Sequence, residues 1–370
     1  MSTRFGLSDA ADLREALDAG ATLPADWYSD PALLRLEQER IFARCWQYAG
    51  RADRVENPGD FFTCFAGQIP IVVLRDREGV LRGFVNVCRH RGHLVASGDG
   101  NRKALQCPYH AWTYDLDGTL RKAPRSEREP DFDKEGFSLL PVATEAWGPL
   151  VFVNPDPDAG PLADALGPLP GKVAQSGLDL DRVRFRVRND WEIECDWKVA
   201  LENYLECYHC AVAHPGFSKV LDVGADEYLY EAERLALMQF AHVRASAKEN
   251  GKVAYLADAD VEQAQYHVLF PNFTLNIDPG PGNMSVDVTR PAGPGRCAGS
   301  TEYFFYEEVS DETAEEMMAF ANQVGVEDAS LVASVQVGLS SGMIPHGRLL
   351  PSSEVLIQHF QRLVHDALAS

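Results

Sequence analysis

Along the chain the spacing of apolar side chains changes its period several times. Residues 8–19 and 30–46 carry them at helical spacing. Ser8 and Asp30 are placed to cap, Pro31 suits a first turn and Gly20 a stop. From Phe61 the pattern turns to strands. IVVLRDREGVLRGFVNVC reads as two β-runs about a D-R-E-G turn, TYDLDGTLRKA holds the hairpin pair Asp117-Gly118, and WGPLVFVNPD closes the region. Residues 155–171, rich in proline and glycine, read as a linker. Beyond it RVRFRVRND alternates like a half-buried strand and DWKVALENYLECYHC is helical. ALMQFAHVRA, YHVLFPNFTLNI, MSVDVTR and STEYFFYEEV form an antiparallel sheet, and residues 311–339 and 352–368 are helical again. The pattern predicts an α+β protein in three parts. Residues 1–44 are a helical segment packed on the C-terminal domain, 45–155 a β-rich domain, and 156–370 a domain of helices and antiparallel sheet.

Length supports two domains, since 370 residues exceed one ordinary core. The net charge of −21 argues against nucleic acid, because phosphate contacts need lysine and arginine. No apolar run approaches the roughly 20 residues that span a bilayer. The N-terminal stretch lacks the basic start and apolar run of a signal peptide. Eight cysteines are few, which predicts a cytoplasmic protein whose cysteines are metal ligands or buried thiols.

Chemistry enters at residues 88–110, CRHRGHLVASGDGNRKALQCPYH. Cys88 and His90 form C-x-H, Cys107 and His110 form C-x-x-H, and sixteen residues separate the pairs. Zinc fingers place two cysteines before two histidines, whereas each pair here mixes one of each. The mixture points to a [2Fe-2S] cluster with Cys88 and Cys107 on one iron and His90 and His110 on the other. Neutral imidazoles in place of two thiolates raise the potential of such a cluster. Arg89, Gly92, Pro108 and Tyr109 suit tight enclosing turns, and His93 is a spare.

A second constellation is ENYLECYHCAVAHPG, residues 202–216. Asn203, Glu206 and His209 are three apart and share a face if the helix continues through them. His214 is out of step, but Pro215 turns the chain out of the helix just after it. Two histidines beside a carboxylate suit a divalent metal with positions open for substrate and dioxygen. Late in the chain, Glu327 and Asp328 stand ahead of an amphipathic stretch, as first-turn acids would.

These motifs, in this order and spacing, resemble the Rieske non-haem iron oxygenases, the large-subunit family of aromatic-ring-hydroxylating oxygenases. The likeness runs from about residue 25 onward. It implies a Rieske domain set into a helix-grip catalytic domain, with Cys88, His90, Cys107 and His110 on the cluster. It implies His209, His214 and Asp328 on a mononuclear Fe(II), with Asn203 beside it. It further implies a homotrimer, O2 as co-substrate, and a flavin- and iron–sulfur-containing reductase or ferredoxin delivering electrons from NAD(P)H. Ring dihydroxylases usually carry aspartate at the position bridging the two centres, where this chain has Glu206. The string ENYLECYHC is closer to the choline, carnitine and betaine branch, which hydroxylates or demethylates quaternary amines. The expected activity is therefore oxidation of a small methylated amine such as a betaine, with an aromatic substrate as the alternative. A Rieske electron carrier would need neither His209, His214 and Asp328 nor the second domain.

Three further readings follow. Cys207 and Cys210 are expected as inert buried thiols, and Cys45, Cys64, Cys195 and Cys297 show no partner pattern. Residues 82–128 hold nine lysines and arginines against four acids, a basic face for an acidic electron donor or a neighbouring subunit. Of Phe240, Tyr266, Phe270, Phe273, Tyr303 and Phe305, two or three should face a cavity where a trimethylammonium group meets aromatic rings.

Overall fold

The computed structural model describes residues 10–249, 256 and 259–369. Ser8, one expected cap, lies outside them. Phe42–Leu162 form one compact unit, and the chain before and after it forms the other.

In the first unit seven strands make an antiparallel sheet. They are β1 (Gln47–Arg51), β2 (Asp60–Ala66), β3 (Ile69–Arg75), β4 (Leu81–Val85), β5 (Asp99–Asn101), and, later in the chain, β9 (Pro141–Trp147) and β10 (Leu150–Asn154), in the order β1-β10-β9-β4-β3-β2-β5. Between them β6 (Leu105–Gln106), β7 (Thr113–Tyr114) and β8 (Leu120–Lys122) form a small sheet of their own. The β2–β3 register brings Phe62 opposite Val73 and Cys64 opposite Ile71. Alternate residues therefore feed one core of Val55, Phe62, Val73, Val151 and Val153, and a second containing Phe61, Leu74, Leu105 and Tyr114.

The predicted helix over 30–46 is shorter than expected. Asp30 caps α2 (Pro31–Glu37), accepting the Ala32 amide at 2.7 Å, and a wider π-type turn follows over Gln38–Phe42. Trp46 has left the helix, and β1 begins at Gln47. The helix from 8–19 is observed as α1 (Ala10–Asp18). The expected linker is also more ordered than its composition indicated. It holds two short helices, α3 (Leu162–Leu166) and α4 (Leu169–Gln175), with Leu162, Leu166, Leu169 and Val173 buried. Apolar side chains at helical spacing outweigh the prolines, which sit at helix starts.

The second unit is built on another seven-stranded antiparallel sheet. Its strands are β11 (Val183–Ile193), β12 (Leu229–Glu233), β13 (Ala236–His242), β14 (Gln263–Leu269), β15 (Phe273–Ile277), β16 (Asn283–Gly293) and β17 (Arg296–Tyr306), in the order β11-β17-β16-β15-β14-β13-β12. Each of the four expected runs is found, YHVLFPNFTLNI as two strands about a turn at Pro271. β12 was not expected, because LYEAE is short and mostly exposed. Register assigns the faces. Gln239 pairs with Tyr266, Tyr266 with Asn276, Asn276 with Ser285, and Ser285 with Tyr303. These residues share one face with Asp287 and Phe305, while Phe240 and Phe273 fall on the other.

That face packs against α5 (Trp197–Tyr204) and, beyond the short helices α6 (Cys210–Ala213), α7 (Phe217–Val220) and α8 (Ala245–Glu249), the long α9 (Asp311–Ser340), capped by Ser310. Tyr204 Oη lies 2.6 Å from Asn276 Oδ1, and Tyr303 Oη 3.1 Å from Asn322 Oδ1. The start of α5 is anchored by a buried charge cluster. Lys198 Nζ lies 2.6 Å from Glu37 and 2.7 Å from Asp196, whose carboxylate caps the helix through the Lys198 amide at 3.0 Å. The last helix, α10 (Val355–Ala369), packs on α1, where Gln358 Nε2 donates to the Leu17 carbonyl at 2.7 Å.

Candidate metal centres

In the first unit, the two motif loops share one backbone design. The Gly92 amide donates to the Cys88 carbonyl at 3.0 Å, and the Ala111 amide to the Cys107 carbonyl at 3.0 Å. The closing residues both take positive φ, 76° at Gly92 and 57° at Ala111. Gly92 does this freely, whereas Ala111 is held there by its loop. The turns bury Cys88 and Cys107 and leave His90 and His110 exposed. Tyr114 Oη lies 3.3 Å from Cys88 Sγ and accepts the Arg89 amide at 3.0 Å. The His90 and His110 rings lie 4.6 Å apart between centroids, and Trp112 stacks on His90 at 4.9 Å. Two buried sulfurs and two exposed imidazoles thus approach pairwise. Among the described residues, only His209, His214 and Asp328 bring three donor atoms within 4.8 Å of one another. Pairing without convergence fits a two-iron cluster rather than a tetrahedral zinc.

In the second unit the local structure departs from expectation. α5 ends at Tyr204, the chain turns through residues 205–209, and only Cys210–Ala213 (α6) is helical again. Asn203, Glu206 and His209 therefore do not share one continuous helix. Glu206 instead organises the turn. Its carboxylate accepts the amides of Tyr208 and, at 3.2 Å, His209, and it pairs with His209 Nδ1. Cys207 and Cys210, expected as thiols on a helix, form a disulfide across this turn. The broken helix brings their Cα atoms to 4.9 Å, inside the range a disulfide spans.

His214 closes the far side. Its Nε2 lies 3.0 Å from His209 Nε2 and 3.0 Å from Asp328 Oδ1, and His209 Nε2 is 3.4 Å from the same oxygen. Asn203 Nδ2 donates to Asp328 Oδ1 at 2.8 Å. Glu327 and Asp328 are not first-turn acids. They lie in the middle of α9, where adjacent positions point about 100° apart. Asp328 thereby reaches the histidine pair, and Glu327 takes His214 Nδ1 at 2.7 Å, steadied by Gln323 at 2.9 Å. This second role of Glu327 was not legible from the sequence. Each histidine has its Nδ1 on a glutamate and its Nε2 turned to a common point, as metal-ligating histidines do.

The electrostatics agree with the donor set. Burial pulls the Asp328 carboxyl up, but bonds from His209, His214 and Asn203 outweigh it and hold the group at about 2. Burial pulls His209 down, yet Asp328 and Glu206 raise it to about 9. Two carboxylates thus hold a positive charge where a divalent cation would sit.

Beside this centre lies an aromatic cluster rich in tyrosine. Phe217 packs between His214 (6.4 Å) and Tyr266 (5.9 Å), in a cluster with Tyr204, Tyr228, Tyr230 and Phe320. Of the aromatic residues singled out, register places Tyr266, Tyr303 and Phe305 on this face. Tyr204 and Tyr228 had no strand pattern to single them out.

Comparison with known proteins supports this picture. Residues 45–142 match the Rieske [2Fe-2S] domain, and 180–370 the ring hydroxylating alpha subunit (catalytic domain). The carnitine monooxygenase oxygenase subunit of Acinetobacter pittii is 33% identical, over 94% of this chain and 95% of the relative. The chloroplastic choline monooxygenase of Arabidopsis thaliana is 31% identical, over 98% of this chain and 88% of its own. A quaternary ammonium Rieske monooxygenase solved with L-carnitine superposes with a TM-score of 0.81 at 29% identity, covering 99% of both chains. A Rhodococcus naphthalene 1,2-dioxygenase, 19% identical with a TM-score of 0.79 over 98% of this chain and 99% of that one, shares the fold. No helix among the described residues is long and apolar enough to cross a membrane. With both domains matched in order, the chain belongs to the ring-hydroxylating alpha-subunit family of Rieske oxygenases.

Proposed function

We infer that this protein is the terminal oxygenase of a two-component system acting on a small trimethylammonium compound. The observation that carries the reading is the tyrosine-rich cluster packed beside His214. A quaternary ammonium cannot donate hydrogen bonds and is recognised by aromatic faces. The relatives named for carnitine and choline share this chain over nearly its whole length.

Cys88 and Cys107 would hold the buried iron of a [2Fe-2S] cluster, and His90 and His110 the exposed one. His209, His214 and Asp328 would hold a mononuclear Fe(II). When bound, the cluster supplies one-electron transfer and the Fe(II) supplies O2 activation. The chain does the rest. Glu206 and Glu327 fix which ring nitrogen of His209 and His214 is free. Asn203 holds Asp328, and the tyrosine cluster excludes water and aligns a methyl or methylene group toward the centre. The electron source is an NAD(P)H-dependent reductase or ferredoxin, docking on the basic loops around His90 and His110. The working form is a homotrimer in which Glu206 faces His110 of a neighbouring copy.

The test is a substrate panel with a surrogate reductase, covering glycine betaine, choline, carnitine, proline betaine and benzoates. NADH use coupled to an aldehyde from an amine supports the reading. A cis-diol or phenol from the benzoates, with every amine inert, overturns it.

A further inference from the structure

One phenol of the tyrosine cluster is tied to an acid. Asp278 follows the end of β15, and its Oδ1 accepts Tyr266 Oη at 2.8 Å. Its side chain is half-buried, and burial pushes the carboxyl up. Tyr266 is its sole side-chain donor, and no lysine or arginine pairs with it among the described residues. Burial raises the Tyr204, Tyr228, Tyr266 and Tyr303 phenols, and the Asp278 charge adds to the rise at each. A buried carboxylate with one hydrogen bond is costly unless a cation joins it.

Asp287, the other acid on this face, differs. Thr274 Oγ1 at 2.8 Å, Asn276 Nδ2 at 2.9 Å and Thr301 Oγ1 all donate to it. It is satisfied, and through Asn276 it positions Tyr204.

A second group points the same way. Gln239, 1% exposed and beside Tyr266 on the sheet face, gives its Nε2 to the Tyr204 carbonyl at 2.7 Å. Its Oε1 is buried with no donor. The amide cannot be flipped without setting its oxygen against that carbonyl. Among the described residues, this sheet face therefore holds a carboxylate with one donor and an amide oxygen with none, and no lysine or arginine pairs with either. Resting on the quaternary-amine reading above, we propose that Asp278 is the charge-selecting residue of the substrate cavity, and that with Gln239 it favours a trimethylammonium cation bearing a hydroxyl over a zwitterion bearing a carboxylate.

The anaerobic holoenzyme would be titrated calorimetrically with choline, glycine betaine, carnitine and 3,3-dimethylbutanol, the neutral isostere of choline. KM and kcat would be measured in parallel with the surrogate reductase. The wild type should bind choline more tightly than either zwitterion or the isostere. Asp278→Asn should weaken choline by roughly ten- to a hundred-fold, as loss of a close charge in a partly buried site would. It should leave the isostere unchanged and act on KM more than kcat. Asp278→Glu should restore most of the preference. Equal losses for choline and isostere, or zwitterions bound as tightly as choline by the wild type, would overturn the proposal. Should Asp278→Asn not fold, the wild-type preference of choline over isostere and zwitterions still decides it. Inertness of the wild type toward every amine would instead bring down the functional reading, and this inference with it.

Discussion

At the residue scale the metal centre rests on pairs of side chains that correct each other. His209 and His214 each have one nitrogen tied to a glutamate, which leaves the other free. Glu327→Gln should keep the fold and lower affinity for the mononuclear iron by roughly 10- to 100-fold, as loss of an orienting carboxylate does. Iron per chain after graded chelation measures this. Binding should also depend on pH. His209 in the metal-free protein titrates at about 9, above its unfolded value of about 6.5. The raised value means the protonated ring is the favoured form. Its contribution to apoprotein stability is whole below about 6.5 and fades as pH rises through about 9. A metal needs the neutral ring, so affinity should climb with pH, by up to about ten-fold per unit, and level off near 9. A flat affinity between pH 6.5 and 9, measured by Co(II) titration, would contradict the His209 environment described above.

At the scale of elements, α5 and α9 matter most, because they deliver Asn203, Tyr204 and Asp328 to one place. The buried Lys198 joins α2 to the start of α5 through Glu37 and Asp196. Removing the cation leaves two buried acids unpaired. Lys198→Met should therefore cost about 3–5 kcal/mol of stability, the usual penalty for breaking a buried pair on one side. Urea unfolding of the second unit's near-ultraviolet signal would read it. A change below about 1 kcal/mol would mean that the pair is not dry.

At the scale of the whole molecule, two centres predict a metal count. The intact protein should carry three irons and acid-labile sulfide, with a Rieske-type spectrum. Cys107→Ser should lose the cluster colour, whereas His214→Ala should keep it and lose turnover. Full product formation by His214→Ala would refute the ligand assignment. Glu206→Gln should bind both metals and still slow single-turnover electron transfer. Light scattering should show an oligomer, and an active monomer would exclude the bridge between copies.

Much of this was legible in the chain itself. Paired cysteine and histidine at C-x-H and C-x-x-H need only two short loops to become a site, so local spacing reveals them. The same holds for the His209–His214 step beside Pro215 and for the alternation in β11, since each is a short-range pattern. Other features needed the fold. Glu327 and Asp328 fall inside the helix predicted over 311–339, but only its packing shows that Asp328 meets the histidine pair and Glu327 reaches His214. Cys207 and Cys210 look like helix thiols until the helix breaks at Leu205, where Glu206 finds better bonds in a turn. Asp278 just past β15, Asp287 on β16 and Gln239 on β13 are far apart in the chain, and only register places them on one face. A sequence records which neighbours a residue has within a turn or two; which face of a sheet meets which helix is decided by packing the whole unit.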